Sequence, residues 1–533
     1  MAWLVIAEDG PEGPRLRADR ALMAAMWAWE LSVKDRVLAA GSLRSDDGVT
    51  PVGSLMILKR PPRLKGSLFP KFRKLIANRM HLAPLFSRRL AFVPLDLANP
   101  VWLENVNVDL DQHVFLKTLP KPGTHAQLET MVAQLHEAPL DRDKPLWEFT
   151  LIEGLADGNA AMYAKIHHAA LDGQGGVALA KAILDTDAKG RDIRAESSAK
   201  ASLTPSTAEL LSNALMNSVA QYGKIIGAVP GALKTVGTMG AALLSSSQAR
   251  KVGAPSEQGT GIPTLPDIKL GDSPEKAAKS LLKKIPGGIA LGPRTPLNVA
   301  IGTQRGFAGV RISLAETKAL AKHRDAKLND IVMAQCAGAL RRYFAKKPAA
   351  LAKSMVAGIP VSLRTPGDSS QSNQVTMMLV SLGTHLTDEK KRFAAMRKSS
   401  EKAKMLTGSM KSVVPTDLPS LGIPWIMSIV TPLYKMAVET NRIPVIANLV
   451  ISNVPGPQMA LYVAGAEILE YYPVSIVSHG LALNITIQSY NGSLDYGFIA
   501  CKKAIPKVAQ FAKYLQAEHA GMMKAMKKDL AHK

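Results

Sequence analysis

Residues 101–187 restrict the fold of this chain more than any other stretch, because apolar residues recur there with two different periods in a fixed order. Residues 101–117 alternate like a β-strand, and residues 124–140 have helical spacing after a Thr124 N-cap. Residues 147–168 form two strand-like runs around an Asp-Gly-Asn turn, and a second helical stretch follows them. The order strand, helix, hairpin, helix predicts an α/β or mixed α+β fold.

The chain is long enough to form two or three compact units, because its 533 residues exceed what one hydrophobic core usually serves. Residues 190–290 are rich in Ala, Ser, Gly and turn residues, which predicts a helical linker of low complexity. We therefore expect one domain over residues 56–189 and a second over residues 291–533. The second contains a strand followed by two helices and, near its end, a hairpin with an Asn-Gly turn.

Cysteine content and hydropathy limit the cellular compartments in which we expect the protein. Only Cys336 and Cys501 are present, which excludes a disulfide framework and a cysteine zinc site and favours a reducing cytoplasm. The first 17 residues lack the apolar core and cleavage site of a secretory signal. Residues 418–438 come nearest to a membrane span, but three prolines and a lysine interrupt them, so we expect a buried or interfacial segment.

The formal net charge of +23 predicts a charged partner or surface. Residues 59–89 contain ten Lys or Arg and no acid, and residues 501–533 contain eight lysines beside apolar residues at helical spacing. Such patterns favour an anionic membrane surface, to which the apolar residues would add a salt-resistant component. A solvated basic face explains each stretch equally well. No groove-reading helix motif or aromatic stacking signature accompanies the charge, so nucleic acid is not an expected partner.

Two adjacent histidines end the second strand of the predicted hairpin. Because successive side chains of a strand face opposite sides, His168 shares a face with Ile166, whereas His167 shares one with Lys165. A neutral imidazole in an apolar cleft is basic enough near neutral pH to remove a proton from a hydroxyl, which suits a general base. A histidine buried only for packing explains His168 as well.

Asp172 and Gly173 follow the histidines on the turn before the next helix. The Asp172 carboxylate can order this loop or cap the helix. Gly173 permits a positive φ or the close approach of a substrate. A serine nucleophile is not expected, since no G-x-S-x-G segment lies near a candidate triad.

A metal site is not expected either. His168 and Asp172 supply two ligands, fewer than a protein metal site requires. Asp109, Asp111 and His113 fall on one face of the strand predicted for residues 101–117, but no spacing in the sequence pairs them with the first two. The sequence therefore predicts chemistry without a metal ion.

Five short segments resemble blocks of one enzyme family. HHAALDG, from His167 to Gly173, resembles the H-H-x-x-x-D-G motif of CoA-dependent acyltransferases. The segments DKPLWEFTLIEGL, LNDIVMAQCAGALRRY, IPVSLR and ISNVPGP resemble blocks of the bacterial wax ester synthase/diacylglycerol acyltransferase family, in the family's order, and the resemblance spans about residues 55–505. It implies two chloramphenicol-acetyltransferase-like domains joined by a long crossover, with the histidine motif in a tunnel between them.

The same resemblance implies roles for individual residues. His168 would be the catalytic base, while His167, Asp172 and Gly173 would support its loop. Trp147 and Asn453 are further candidates for substrate binding, although ordinary packing is favoured for Trp147 and a structural role is favoured for Asn453. Residues 1–55 differ from the family's usual start and resemble the small YCII-like α/β domains.

The activity that the resemblance implies is O-acyl transfer. A fatty acyl group would move from acyl-CoA, a co-substrate, to the hydroxyl of diacylglycerol or of a long-chain alcohol, and no cofactor is expected. The basic surface would place the protein in the cytoplasm, against the inner membrane face or lipid inclusions. Two alternatives stay open: a non-catalytic protein that coats lipid surfaces, and an acyltransferase for a polar or carrier-bound acceptor.

Overall fold

A computed structural model describes residues 51–92, 101–104, 106–170, 175–195, 292–362, 375–410, 435–436, 438–440 and 445–532. These residues form two six-stranded β-sheets covered by helices, which confirms the mixed α/β class. Residues 1–50, most of the predicted linker and the apolar stretch at 418–434 lie outside the described residues. No helix within the described residues is long and apolar enough to cross a membrane.

The first sheet combines strands from two distant parts of the chain. Its strand order is β11-β12-β1-β6-β5-β4. The strands are β1 (Pro51–Lys59), β4 (Val114–Thr118), β5 (Trp147–Glu153), β6 (Ala160–His167), β11 (Tyr462–Val463) and β12 (Ala466–Val474). The central strand β1 is antiparallel to both β6 and β12, and all of its residues except Lys59 are buried. The predicted boundary at residue 55 falls inside this strand.

The second sheet is built from residues 305–501 and has the order β7-β14-β13-β10-β8-β9. Its strands are β7 (Arg305–Ser313), β8 (Val356–Ser362), β9 (Val375–Ser381), β10 (Leu449–Val454), β13 (Leu483–Tyr490) and β14 (Ser493–Cys501). Asn491 and Gly492 have φ values of 40° and 82° between β13 and β14. These positive values are those of a type I′ turn, so the predicted Asn-Gly hairpin is confirmed.

The helices cover these sheets and follow the predicted order. They are α1 (Phe69–Arg79), α2 (His125–Glu137), α3 (Gly175–Ile183), α4 (Leu314–His323), α5 (Leu328–Tyr343), α6 (Glu389–Met410) and α7 (Ala509–Ala531). Thr124 and Gln127 form a capping box at the start of α2. Their side chains accept hydrogen bonds from two backbone N–H groups that have no partner within the helix. The helix predicted after Thr124 is therefore confirmed.

The two sheets meet along β12 and α2. The Glu129 carboxylate accepts the Gly309 N–H at 2.8 Å, and the Glu137 carboxylate accepts the Arg305 N–H at 2.9 Å, so α2 is bonded to β7 of the other sheet. At Gly497 on β14, a Cβ atom would lie 1.8 Å from the Pro473 carbonyl oxygen on β12. Only glycine allows this close approach of the two backbones.

The prediction of one strand over residues 101–117 is wrong. Residues Val101–Leu103 form β3, which pairs with β2 (Arg89–Ala91), and residues Leu110–Gln112 form a 3-10 turn before β4. The Asp109 carboxylate accepts the Asp111 N–H at 3.0 Å. Such a bond from an aspartate to the backbone two residues on stabilises a turn against a strand, so Asp109, Asp111 and His113 do not share a strand face.

The basic stretch at residues 59–89 is neutralised in part by acids from elsewhere in the chain. The Arg73–Asp111 pair is 2.6 Å long, and the Arg88–Glu104 pair is 2.8 Å long. A third cation, Arg79, is buried and bonds a carboxylate on the segment after α3. Part of this charge therefore stabilises the fold and is unavailable to a partner.

The C-terminal helix α7 does not present its apolar side to solvent. Phe511, Leu515, Met522 and Met526 are buried in the core of the second domain, where α7 packs against α5 and β7. The expectation that these apolar residues would add a salt-resistant component to membrane binding is therefore wrong for this helix. Its lysines remain exposed, among them Lys524, Lys527 and Lys528.

Candidate active site

Both predicted histidines are buried at the end of β6. His167 is the last residue of this strand, whereas His168 begins a 3-10 turn that runs to Ala170. The alternation of a strand therefore predicts the direction of His167 but does not extend to His168, whose place on the face of Ile166 stays a prediction. His167 is 6% exposed and His168 is 4% exposed. Asp172 and Gly173 lie outside the described residues.

The backbone of His167 is fixed from both sides. It pairs with Pro51 in the register of β1, and its N–H donates to the Leu146 carbonyl at 2.9 Å. Burial, together with the nearby His168 and Arg142, lowers the pKa of His167 to about 3. The imidazole of His167 is therefore neutral at physiological pH.

Trp147 begins β5 beside the histidine end of β6, and its side chain lies in the core. Its indole N–H donates to the Phe86 carbonyl at 3.1 Å. The ring stacks on His113 with a centroid distance of 4.4 Å, and His113 Nδ1 lies 2.7 Å from the Trp147 carbonyl oxygen. These contacts give Trp147 a packing role that binds β5 to the segment before β4.

Asn453 lies in the second sheet, on β10. Its side-chain amide donates to the Asn329 side chain at 3.4 Å, at the start of α5, rather than to either histidine. The next residue, Asp330, accepts the Lys327 N–H at 3.1 Å and so caps this helix. The predicted candidates thus fall into two groups: the histidines and Trp147 on the first sheet, and Asn453 on the second.

Lys165 is a residue of this site that the sequence did not single out. It precedes His167 by two positions on the same face of β6 and is 2% exposed. Its ammonium group lies 2.7 Å from the Glu148 carboxylate and donates to the carbonyls of Leu135 and Ala138 at the end of α2. A charged residue inside an otherwise apolar strand was the available signal, because a buried ammonium must be paired.

His136 connects α2 to both halves of the chain near this site. Its Nδ1 lies 2.7 Å from the Tyr163 hydroxyl on β6, and its Nε2 lies 2.9 Å from the Ser475 carbonyl oxygen after β12. Burial lowers the pKa of His136 to about 3, so this histidine is neutral and bonds as a structural group. The strand that ends at His167 is therefore held by three polar anchors: Lys165, Tyr163 and the His167 backbone.

A metal site is not formed by the described residues, since no three His, Cys, Asp or Glu side chains among them group at ligand spacing. His113 points inward to Trp147 instead of joining Asp109 and Asp111. The arrangement offers two buried imidazoles at the end of β6, and an imidazole of ordinary basicity can accept and return a proton when held near a hydroxyl.

Comparison with known proteins identifies the family. The model for the wax ester synthase/diacylglycerol acyltransferase catalytic domain matches residues 42–332, and the model for the WS/DGAT C-terminal domain matches residues 371–522. A putative diacylglycerol O-acyltransferase of Mycobacterium tuberculosis is 31% identical over 467 residues, which cover 87% of this chain and 93% of the relative. A probable diacylglycerol O-acyltransferase of the same organism is 30% identical over 480 residues.

A solved structure agrees. The wax ester synthase/diacylglycerol acyltransferase from Marinobacter aquaeolei VT8 superposes with a TM-score of 0.59 at 26% identity, and the match covers 90% of this chain and 95% of that one. The likeness extends over both sheets, so it concerns the whole architecture rather than the histidine motif alone. The chain therefore belongs to the wax ester synthase/diacylglycerol acyltransferase family of enzymes.

Proposed function

We propose that this protein transfers a fatty acyl group from acyl-CoA to the hydroxyl of diacylglycerol or of a long-chain alcohol, with His168 as the general base. The single observation that carries the proposal is the buried His167–His168 pair at the end of β6 in a member of this acyltransferase family. The printed names of the mycobacterial relatives support a diacylglycerol acceptor, and the name of the Marinobacter enzyme supports both acceptors.

The proposed reaction is a direct transfer. His168 accepts the proton of the acceptor hydroxyl while the hydroxyl oxygen forms a bond to the thioester carbonyl carbon. The bond from this carbon to the CoA sulfur then breaks, and the proton passes from His168 to the sulfur. The products are an ester and free CoA. No covalent enzyme intermediate and no bound cofactor take part.

The role proposed for His167 is to support the turn that carries His168. Its pKa of about 3 keeps its ring uncharged, so it does not compete for the proton of the acceptor at neutral pH. Its backbone bond to Leu146 fixes the last residue of β6 before the chain turns. Asp172 and Gly173 are proposed to support the same turn from its far side.

Release of CoA from palmitoyl-CoA tests this function. We expect rapid release with diacylglycerol, with hexadecanol or with both, and slow release when no acceptor is present. The relative rates of CoA release with diacylglycerol and with hexadecanol show which acceptor the protein prefers. Release that requires a polar amine would favour the polar-acceptor alternative, and no release with any acceptor would favour a non-catalytic lipid-surface protein.

We also propose that the protein binds peripherally to anionic membranes or to lipid droplets through its basic surface. The exposed Lys524, Lys527 and Lys528 near the end of α7 support this proposal. Each basic residue close to an anionic bilayer contributes about 1 kcal/mol. Because the apolar side of α7 is buried in the core, binding through this helix is electrostatic and is weakened by salt.

Sedimentation with anionic liposomes tests the membrane proposal. We expect the full chain to sediment at low salt, and replacement of the three lysines by glutamate to weaken sedimentation strongly. The same replacement should leave CoA release from a soluble short-chain acyl-CoA unchanged. Liposome binding that excess DNA abolishes, together with no affinity for neutral lipid droplets, would contradict the proposal.

A further inference from the structure

A cavity rich in arginine lies where the C-terminal end of α5 meets the start of α6 and the middle of α7. Its volume is about 550 Å³, which is in the range of small-molecule binding sites. Its polar lining consists of Arg341, Arg342, Arg392, Glu389, Glu518 and Thr387. None of these residues belongs to the candidate active site.

One carboxylate in the cavity is fixed between two of the arginines. Glu518 on α7 lies 2.7 Å from Arg342 and 3.8 Å from Arg392. Gly338 on α5 makes room for it, because a Cβ atom at this position would lie 2.3 Å from the Glu518 carboxyl carbon. Glu518 therefore holds two guanidinium groups in place but offers them only one negative charge.

The second carboxylate of the lining, Glu389, is already paired with an arginine that does not line the cavity. Glu389 is bound by both terminal nitrogens of Arg324, at 2.5 and 3.0 Å. Arg341 donates to the Thr384 carbonyl at 3.0 Å and has no carboxylate partner among the described residues. Three arginines and two carboxylates line the cavity, and one of these carboxylates also neutralises Arg324, so the lining has a net positive charge.

The deepest arginine is held rigidly. Arg392 is 5% exposed and donates to the carbonyls of Leu386 and Thr387, both at 3.2 Å. Burial lowers the pKa of Arg392, the Glu518 and Glu389 carboxylates raise it, and the positive charges of Arg341 and Arg342 lower it. Exposed lysines follow the lining residues in sequence: Lys346, Lys347, Lys390 and Lys391.

We propose that this cavity binds the phosphate group of a phosphorylated small molecule. Guanidinium groups match phosphate oxygens with paired, charge-assisted hydrogen bonds, and groups that are already fixed lose little entropy when the ligand arrives. An added anion would also relieve the repulsion among the three arginines. The site is separate from Asn453, because Arg341 follows Asn329 by twelve residues on the same helix, a rise of about 18 Å.

Calorimetric titration of the full chain with three phosphate probes tests the proposal. The probes are inorganic phosphate, glycerol 3-phosphate and adenosine 3′,5′-bisphosphate. We expect saturable binding, which Arg341→Gln weakens about tenfold through the loss of one charge-assisted contact. Arg397→Gln is the matched control, since it removes one positive charge from an exposed position on α6 that pairs with Glu401. The affinity of the Arg397→Gln protein for each probe should equal that of the unchanged protein.

The probes also distinguish two sources of the phosphate. Tighter binding of glycerol 3-phosphate would indicate a lipid headgroup, and tighter binding of adenosine 3′,5′-bisphosphate would indicate a nucleotide. No binding of any probe at millimolar concentration would contradict the proposal, as would equal weakening by Arg341→Gln and Arg397→Gln.

Hydrogen exchange on the unchanged protein gives a test that does not depend on the folding of a variant. Saturating probe should slow amide exchange at residues 384–392, where the carbonyls that hold Arg341 and Arg392 lie. Slowed exchange only in other parts of the chain would place the bound phosphate elsewhere and contradict the proposal.

Discussion

The two six-stranded sheets are of equal size but bury different ionic groups. The first sheet buries Lys165, whose ammonium is bound by the Glu148 carboxylate and by two carbonyls at the end of α2. The second buries Asp495 on β14, which accepts from Arg311 at 2.9 Å and from the Tyr471 N–H at 2.8 Å. Lys165 lies two residues before His167, and the Tyr471 N–H bond of Asp495 joins the second sheet to β12.

We expect this difference to separate a group that positions the candidate active site, Lys165, from a group that couples the two sheets, Asp495. The Lys165 pair stays within the first domain and fixes the strand that ends at His167. The bond from the Tyr471 N–H to Asp495 crosses between the sheets, whereas Arg311 lies on the neighbouring strand of the second sheet. Burial raises the pKa of Asp495 to about 7 in spite of the nearby Arg311. We therefore expect the first pair to control catalysis and the second to control how stability depends on pH.

Loss of the His168 side chain is expected to have the largest effect. His168→Ala should lower turnover by about two to four orders of magnitude, the usual contribution of a general base, and leave the circular dichroism spectrum unchanged. The control is His519→Ala, which removes a buried histidine of the second domain that bonds Glu316 and Gln335. Near-normal turnover in a folded His168→Ala protein would show that the catalytic assignment is wrong.

Loss of the buried ammonium in the first sheet should rank second. Lys165→Met leaves the Glu148 carboxylate without its cation, and removing one partner of a buried pair costs about 3 kcal/mol of unfolding free energy. Because the change lies on β6, we expect kcat to fall more than KM rises. Urea denaturation and steady-state kinetics measure the two effects.

A second variant separates positioning from general destabilisation. Lys165→Met combined with Glu148→Gln removes both charges and should recover part of the lost stability. If the single variant loses stability but retains the kcat of the unchanged protein, Lys165 has no role in positioning the histidines.

Between mildly acidic and mildly alkaline pH, the Asp495 group should give a smaller effect on stability than loss of Lys165. Its pKa in the folded protein is about 7, above the value of 3.8 for a free side chain, so folding favours its protonated form. Its contribution to stability is complete below the lower value and is lost as the pH rises through the higher one. The loss is at most about 1.4 kcal/mol per pH unit.

Melting temperatures from mildly acidic to mildly alkaline pH measure this contribution. Asp495→Asn keeps the shape of the protonated side chain, so its melting temperature should change less with pH than that of the unchanged protein. Parallel curves for the two proteins would show that Asp495 does not titrate in this range.

The smallest effect is expected at Trp147. Trp147→Phe removes the N–H that bonds the Phe86 carbonyl and should cost about 1 kcal/mol of unfolding free energy. If packing is the only role of Trp147, the KM for the acceptor stays within the error of the measurement. A large rise in this KM with little loss of stability would instead assign Trp147 to substrate binding.

Local signals in the sequence predicted much of the fold. The Thr124 cap, the Asp-Gly-Asn turn between β5 and β6, and the Asn491–Gly492 turn each specify structure within a few residues, and all three are confirmed. The pairing of β1 with β12 joins residues more than 400 positions apart, and no local pattern indicates it. The first sheet was therefore predicted only in part.

The same limit applies to charges and to the site. The H-H-x-x-x-D-G motif indicated the histidine pair as a candidate site. The motif does not specify that the strand ends at His167, because this end depends on the neighbouring backbone. The carboxylates that pair with Arg73 and Arg79 come from residues 111 and 185. Helical spacing in α7 predicted an amphipathic helix, yet spacing does not say whether the apolar side meets lipid or the core of the same domain.

The most direct test of the central claim is the fate of a labelled acyl group. Purified protein would be mixed with palmitoyl-CoA, labelled in its acyl chain, and with dioleoylglycerol or hexadecanol, and the lipids would be separated by chromatography. Direct transfer predicts labelled triacylglycerol or wax ester in equal amount to the CoA released, with no label on the protein. Free labelled palmitate in place of the ester, or label bound to the protein, would contradict it.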